Sequence, residues 1–344
     1  MISKEGLENS SAQWVKKYSV LIALAGQGKT RGTVAINSIP LTTNQSIAAI
    51  VPDETLHYEF IFQNLMKRYE ELRMLSSGDE TRGGLNKQLL SDIIINCSNV
   101  EEQKVIGNFF HTLDNIITLH KRKLDLLKEL KKGYLQLMFP QEGECVPRIR
   151  FDGFTESWNK YTLGELVNIS SGFTGNAELN EGIYKITRIE TISYGIVDEN
   201  KIGFSDKEPE KKYLLNTGDI LYSNINSLSH IGKTAIYEAE FDLYHGINLL
   251  RLVPNKNVDS MFIFYYLNTE NKRNWAITHA NQAISQASIN QTELSKQKFI
   301  IPNIEEQIII GIFFHILDKQ ISIQQQKLDK LKQIKTAYLQ KMFI

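Results

Sequence analysis

The tract from Val20 to Ile36, VLIALAGQGKTRGTVAI, has the outline of a strand running into a phosphate-binding loop. A loop of that kind wraps phosphate in backbone amides and needs a glycine separated by four residues from Gly28, but Ala23 stands there. A helix should follow the threonine, whereas Arg31-Gly32-Thr33-Val34-Ala35-Ile36 combines a glycine with β-branched residues that favour a turn and a strand. The tract Ile220 to Glu240 repeats Gly-Lys-Thr at 232–234 and again lacks the first glycine. Nucleotide binding is therefore set aside for a hairpin whose tip presents Lys29 and Arg31, and in the second tract Lys233, to a polyanion. Lysine and arginine supply phosphate contacts, while asparagine, glutamine and serine pair with base edges. Such residues are Asn44 and Gln45 in the first half, and Ser223, Asn224, Asn248, Gln282 and Gln286 in the second.

Other chemistry is sparse. The seven histidines show no metal-ligand spacing, and His111 and His315 each follow a Phe-Phe pair inside helical segments, which suits packing better than ligation. No nucleophile elbow, methyl-donor motif or endonuclease-type cluster of acids is found, and Asp152-Gly153 reads as a turn. Neither a catalytic residue nor a metal site is expected.

The elements that must position these residues are revealed by an internal repeat. Asn99–Phe139 realigns without gaps on Asn303–Phe343, at an offset of about 204 residues, with 23 of 41 positions identical. Fainter echoes lie upstream: Leu85-Asn86 and Leu90-Ser91 against Ile289-Asn290 and Leu294-Ser295, and Gly28-Lys29-Thr30 against Gly232-Lys233-Thr234. The chain divides accordingly into a first variable domain (1–98), a central helical spacer (99–140), a second variable domain (141–302) and a C-terminal helical spacer (303–344). On this register Met1 falls opposite Ser205, so the first domain reads as shortened at its N-terminus by a counterpart of about 57 residues, roughly Arg148 to Phe204.

Each helical copy opens on Glu-Glu-Gln, where carboxylates suit the positive end of a helix dipole. Leu113, Ile117, His120, Leu124, Leu127, Lys131, Tyr134 and Met138 follow the alternating spacing of a heptad seam. The second copy reads Leu317, Ile321, Gln324, Leu328, Leu331, Lys335, Tyr338 and Met342, with polar residues at the same two steps. Polar seam residues weaken packing but fix register. The copies are expected to pair as an antiparallel coiled coil with pseudo-twofold character, about 39 Å of helix at ~1.5 Å per residue, separating two mixed α/β domains in an α+β architecture.

Composition bounds the rest. With 344 residues, 42% of them hydrophobic, the chain is long enough for two cores. Cys97 and Cys145 cannot make a disulfide framework, and with neither a leader-like segment nor a run of about 18 apolar residues a cytoplasmic protein is expected. The balance of 39 basic against 39 acidic residues weighs against tight nucleic-acid binding by the chain alone, since counterion release favours a basic surface.

The duplicated helix running from Glu-Glu-Gln-x3-Gly-x-Phe-Phe to Tyr-Leu-Gln-x-Met-Phe, the segment Arg148-Ile149-Arg150-Phe151-Asp152-Gly153-Phe154 followed by Trp158, and the tract Gly26–Gly32 together resemble type I restriction-modification specificity subunits. The resemblance covers nearly the whole chain. It implies two target-recognition domains, each reading half of a bipartite site on double-stranded DNA, and helices that dock two modification subunits, with restriction subunits joining a larger complex. It also implies a non-catalytic chain that binds no cofactor, S-adenosylmethionine belonging to the modification subunit and ATP with magnesium to the restriction subunit. A coiled-coil adaptor that binds no DNA, or a shortened subunit without function, stands as the alternative.

Overall fold

The structure is a computed structural model and describes residues 4–9, 12–26, 29–75, 85–174, 179, 181–193, 195–282 and 286–343. The chain forms two compact units, one comprising 1–124 with 323–344 and the other 125–322. The boundaries fall inside both long helices, so each helix contributes a part of its length to each unit; the fourfold division drawn from sequence identity follows the repeat instead.

In the first unit, Val20–Ala23 (β1), Val34–Ile36 (β2) and Ile47–Ile50 (β3) form an antiparallel sheet in the order β2–β1–β3. Val20 and Ile22 point inward onto Ile61, Leu65 and Leu72, carried by Tyr58–Lys67 (α1) and Tyr69–Met74 (α2). Val100–Leu137 (α3) then begins behind an Asn99 side chain that accepts from the Glu102 amide at 2.9 Å, capping the exposed first turn.

The second unit has the same three strands in the same order, Thr234–Ile236 (β9), Ile220–Tyr222 (β8) and Leu250–Pro254 (β10), within a larger sheet. Val167–Ser171 (β5) pairs antiparallel with β10 over five residues, and Ile196–Val197 (β7) and Ile192–Ser193 (β6) extend the other edge, giving β5–β10–β8–β9–β7–β6. Asn159–Thr162 (β4) pairs with Lys298–Ile301 (β11). Ser260–Leu267 (α4) and Glu270–His279 (α5) take the places of α1 and α2, and Ile304–Met342 (α6) begins behind Asn303, which accepts from the Glu306 amide at 3.0 Å.

Equivalent residues of the repeat make equivalent contacts with the helix copies exchanged. Phe343 lies 4.9 Å from Phe60 and 5.7 Å from Phe110 in the first unit, while Phe139 lies 5.3 Å from Phe262 and 5.8 Å from Phe314 in the second. Each such ring removed from water contributes about 1.5–3 kcal/mol, which ties the end of one helix to the start of the other. Gln103 accepts from the His57 amide at 2.9 Å and Gln307 from the Asp259 amide at 3.0 Å, so the glutamine of each Glu-Glu-Gln clamps the following domain helix to the long one. A Cβ at Gly107 would come within 2.8 Å of Glu59, and one at Gly311 within 2.6 Å of Asp259, so these glycines let helix and domain approach. The faint echo upstream is also real: Asn86 and Asn290 each cap a short helix, Lys87–Ser91 and Gln291–Ser295.

Candidate nucleic-acid interface

The seam positions are placed unit by unit. In the first, Leu113, Leu124 and Leu328 are buried and Ile117 and Leu331 half-buried; in the second, Leu317 is buried and Leu127, Tyr134 and Ile321 half-buried. The pairing is antiparallel in each. His120 and Gln324 meet at the seam, the Gln324 amide donating to the His120 carbonyl at 3.0 Å. The two seam lysines reach aspartates that the heptad pattern does not single out: Lys335 to Asp114 at 2.6 Å in the first unit, Lys131 to Asp318 at 2.6 Å in the second. Gln63 donates to Asp114 at 2.8 Å and the Tyr265 hydroxyl to Asp318 at 2.9 Å, so each aspartate binds a domain helix as well as the opposite long helix. Tyr338 departs from the seam and is 41% exposed, packing edge-on against Phe109. The equivalent pair Tyr134 and Phe313 is covered by Phe151, and this cover makes the difference.

The hairpin tracts are built around a left-handed glycine. Gly232, at φ +73°, donates to the Ser223 carbonyl and the Ser223 amide donates to the Lys233 carbonyl, both at 2.8 Å. Gly32, at φ +80°, donates to the Ala23 carbonyl at 2.9 Å, and the Ala23 amide to the Thr33 carbonyl at 3.0 Å. The structural counterpart of Gly232 is therefore Gly32, and that of Lys233 is Thr33. The alignment of Gly28-Lys29-Thr30 on Gly232-Lys233-Thr234 is corrected, because three matching letters weigh less than the glycine that the turn requires. As the composition suggested, a strand follows the turn in each unit.

Lys29 is exposed, and its carbonyl accepts from the Tyr69 hydroxyl at 2.7 Å; Gln27 and Gly28 lie outside the described residues. Arg31 is half-buried and donates to the Arg73 carbonyl at 2.9 Å, fastening the turn to α2. Asn44 and Gln45 are exposed at the turn before β3, where Asn44 accepts from the Ser46 amide at 3.1 Å. In the second unit Asn248, Gln282 and Gln286 are exposed. Two of the expected base readers are buried. Asn224 is 8% exposed and its amide donates to the Ile289 carbonyl at 3.3 Å, and Ser223 is 1% exposed with its hydroxyl accepting from Asn226 at 3.2 Å. Both hold the loop after β8 in place.

Beside this turn the second unit has a cleft of about 750 Å³ lined by Lys233, Arg273, Lys201, His230, Asn226 and Asn268 among others, with Glu190 the one carboxylate in its lining. Burial, and secondly the charge of Arg273, lowers the proton affinity of Lys233; burial lowers that of Arg273. The Arg273 Nε and the Tyr222 hydroxyl are buried without a hydrogen-bond partner, and burial raises the tyrosine's pKa. Two cations lining one cleft, each with its charged form disfavoured by burial, favour an anion. Sequence reading missed Arg273, which is hidden in an ordinary polar helix, and only the packing of α5 under Gly232 brings it to the turn. A larger cleft of about 960 Å³ in the same unit is lined by four carboxylates (Glu142, Glu144, Glu165, Glu293) and four lysines (Lys160, Lys272, Lys296, Lys298). Its most buried lysine, Lys272, is pushed down to about 8 by burial but meets the Lys298 carbonyl and the rings of Tyr266 and Phe299, so it is satisfied internally.

Among the described residues no group of His, Cys, Asp and Glu could hold a metal ion, and no helix is long and apolar enough to cross a membrane. His111 instead meets Glu59 at 2.8 Å, and Cys97 and Cys145 are free and exposed.

The type I restriction modification DNA specificity domain matches residues 1–129 and 155–333. The chain is 38% identical over 194 residues to a Methanocaldococcus jannaschii protein provisionally named the type I restriction enzyme MjaX specificity subunit, covering 55% of this chain and 46% of that one. It is 21% identical over 331 residues to the type I restriction enzyme MjaVIII specificity subunit of the same organism, covering 91% and 76%. The chain thus spans about half the length of the first relative. The crystal structure of the type I restriction-modification S subunit from M. genitalium shares the fold, with a TM-score of 0.68 at 19% identity over 96% of this chain and 84% of that one. With well over half of its residues inside the two matched stretches, the chain belongs to the type I restriction modification DNA specificity domain family.

Proposed function

We propose that the chain is the DNA-reading subunit of a type I restriction-modification complex and performs no chemistry itself. The observation that supports this best is the duplicated unit, in which a strand turn with a left-handed glycine lies against an arginine-bearing helix and is fastened to one shared helical pair. Two such units suit a bipartite site. In the second, Lys233 and Arg273 would hold backbone phosphate, and exposed Gln282, Gln286 and Asn248 would meet base edges; in the first, Lys29, Arg31, Asn44 and Gln45 would do the same.

The long helices carry apolar residues that their own unit leaves in water: Val105 (69% exposed) and Leu119 (65%) in the first unit, Leu126 (55%), Ile312 (50%) and Ile316 (54%) in the second. Such stripes mark partner surfaces. Two modification subunits would cover them, bringing S-adenosylmethionine, and restriction subunits would bring ATP and magnesium. A neutral chain then borrows its grip on DNA from larger partners.

Mixed with the cognate modification subunit, the chain should co-purify and direct adenine methylation to one bipartite sequence. Lys233→Ala should weaken binding of all sequences and reduce the salt slope by about 1. Gln286→Ala should instead change the methylated sequence. Failure to assemble with the modification subunit, or a complex without salt-dependent DNA binding, would overturn the reading and favour an adaptor.

A further inference from the structure

In the second unit, residues 150–171 cover one continuous set of features. Arg150 grips Glu306 through two hydrogen bonds of 2.9 and 2.8 Å, and the Trp158 indole donates to the same carboxylate at 3.1 Å. Phe151 packs edge-on against Phe313 at 5.7 Å. β4 supplies the partner of β11, and β5 the partner of β10.

The carboxylate, the aromatic pair and the sheet edge each have a counterpart in the first unit, and there nothing among the described residues takes the place of residues 150–171. Glu102, the repeat equivalent of Glu306, is exposed, and no cation pairs with it among the described residues. Phe109 and Tyr338, equivalents of Phe313 and Tyr134, form the same edge-on pair at 5.2 Å but are 38% and 41% exposed. Ile94, the equivalent of Lys298, is 81% exposed in a stretch that is not a strand, and β3, the equivalent of β10, is the edge of its sheet. A carboxylate, an aromatic pair and an open strand edge thus stand in the arrangement that the second unit shows filled. Bidentate arginine–carboxylate pairing and strand addition are both directional, so this arrangement selects a particular chemistry.

We propose that this face of the first unit is a docking site for a segment of another polypeptide that carries an arginine followed by phenylalanine, then a tryptophan and an extended strand, in the pattern of Arg150, Phe151 and Trp158. The arginine would take Glu102, the phenylalanine would cover Phe109 and Tyr338, and the strand would join the open edge of β3.

The test uses the full chain without DNA and a labelled synthetic peptide spanning residues 147–171, followed by fluorescence anisotropy. Saturable one-to-one binding is expected. Either Glu102→Ala in the chain or Arg150→Ala in the peptide should weaken it on the order of tenfold or more, the effect of removing one charge-assisted pair. A photo-crosslinker at the peptide's Phe151 position should label the neighbourhood of Phe109 and Tyr338. Glu102 is exposed, so its variant should keep the far-ultraviolet circular dichroism of the parent. Absence of saturable binding, equal affinity for the Glu102→Ala chain, or crosslinks around Phe313 would each overturn the proposal. The DNA-reading assignment stands or falls separately, on the methylation assay.

Discussion

The same helix begins twice in this molecule and meets two different surroundings. Glu102 and Glu306 are identical residues behind identical asparagine caps, yet one is in water and the other is 1% exposed beneath Arg150 and Trp158. Tyr134 is half-buried where Tyr338 is not, and His315 is 23% exposed as a side chain where His111 is 56%. A repeat of 23 identities in 41 positions therefore specifies the helix and its seam, but not the state of each residue on it. That state is set by what the neighbouring variable domain lays over the helix.

The sharpest way to break this comparison is to remove both glutamates in turn. Glu306→Ala leaves Arg150, whose side chain is 15% exposed, without its carboxylate, and should cost about 3–5 kcal/mol of the second unit's stability. Glu102→Ala should stay within about 0.5 kcal/mol, as surface changes do. Urea unfolding of the two variants decides between this asymmetry and an equivalence of the copies.

Acid should separate the units next. Burial pushes the His245 ring of the second unit down to about 4, and its neutral form donates from Nε2 to the Leu249 carbonyl at 2.8 Å. The unfolded chain takes up that proton near pH 6.5, so stability should fall as the pH drops from about 6.5 and level off near 4, by on the order of 3 kcal/mol in all. His245→Gln should flatten this part of the pH profile, and an unchanged profile would remove His245 from the account.

The smallest effect tests a likeness. Gly32→Ala and Gly232→Ala each force a side chain onto left-handed backbone, and the new Cβ would meet Arg73 N at 3.0 Å and the Ala276 Cβ at 2.7 Å respectively. Losses of roughly 1–2 kcal/mol in both are expected from the backbone alone. A loss confined to Gly232 would show that the two turns are not the same device.

Much of the site was legible in advance only as a class of place. The tract around Lys29 and Arg31 shows in its sequence as a turn leading to a strand, because its glycine and β-branched residues are local signals. Its register against the second copy does not show there, since Gly-Lys-Thr matches by letter while the hydrogen bonds follow Gly32 and Gly232. Asn224 and Ser223 share a residue class with Gln282, and burial separates them. Arg273 had no local signal, since one arginine in a polar helix looks like any other.

Periodicity, caps and self-similarity are properties of nearby residues, and so the chain's own order of residues determined two mixed domains, two long helices with one seam, and their duplication. Nothing in the repeated helix itself distinguishes Glu102 from Glu306, or foretells that Lys131 and Lys335 would find Asp318 and Asp114, 187 and 221 residues away. Those outcomes depend on which surfaces close over which. Burial turns an identical carboxylate into an anchor in one unit and leaves it exposed in the other, and only the tertiary structure decides it.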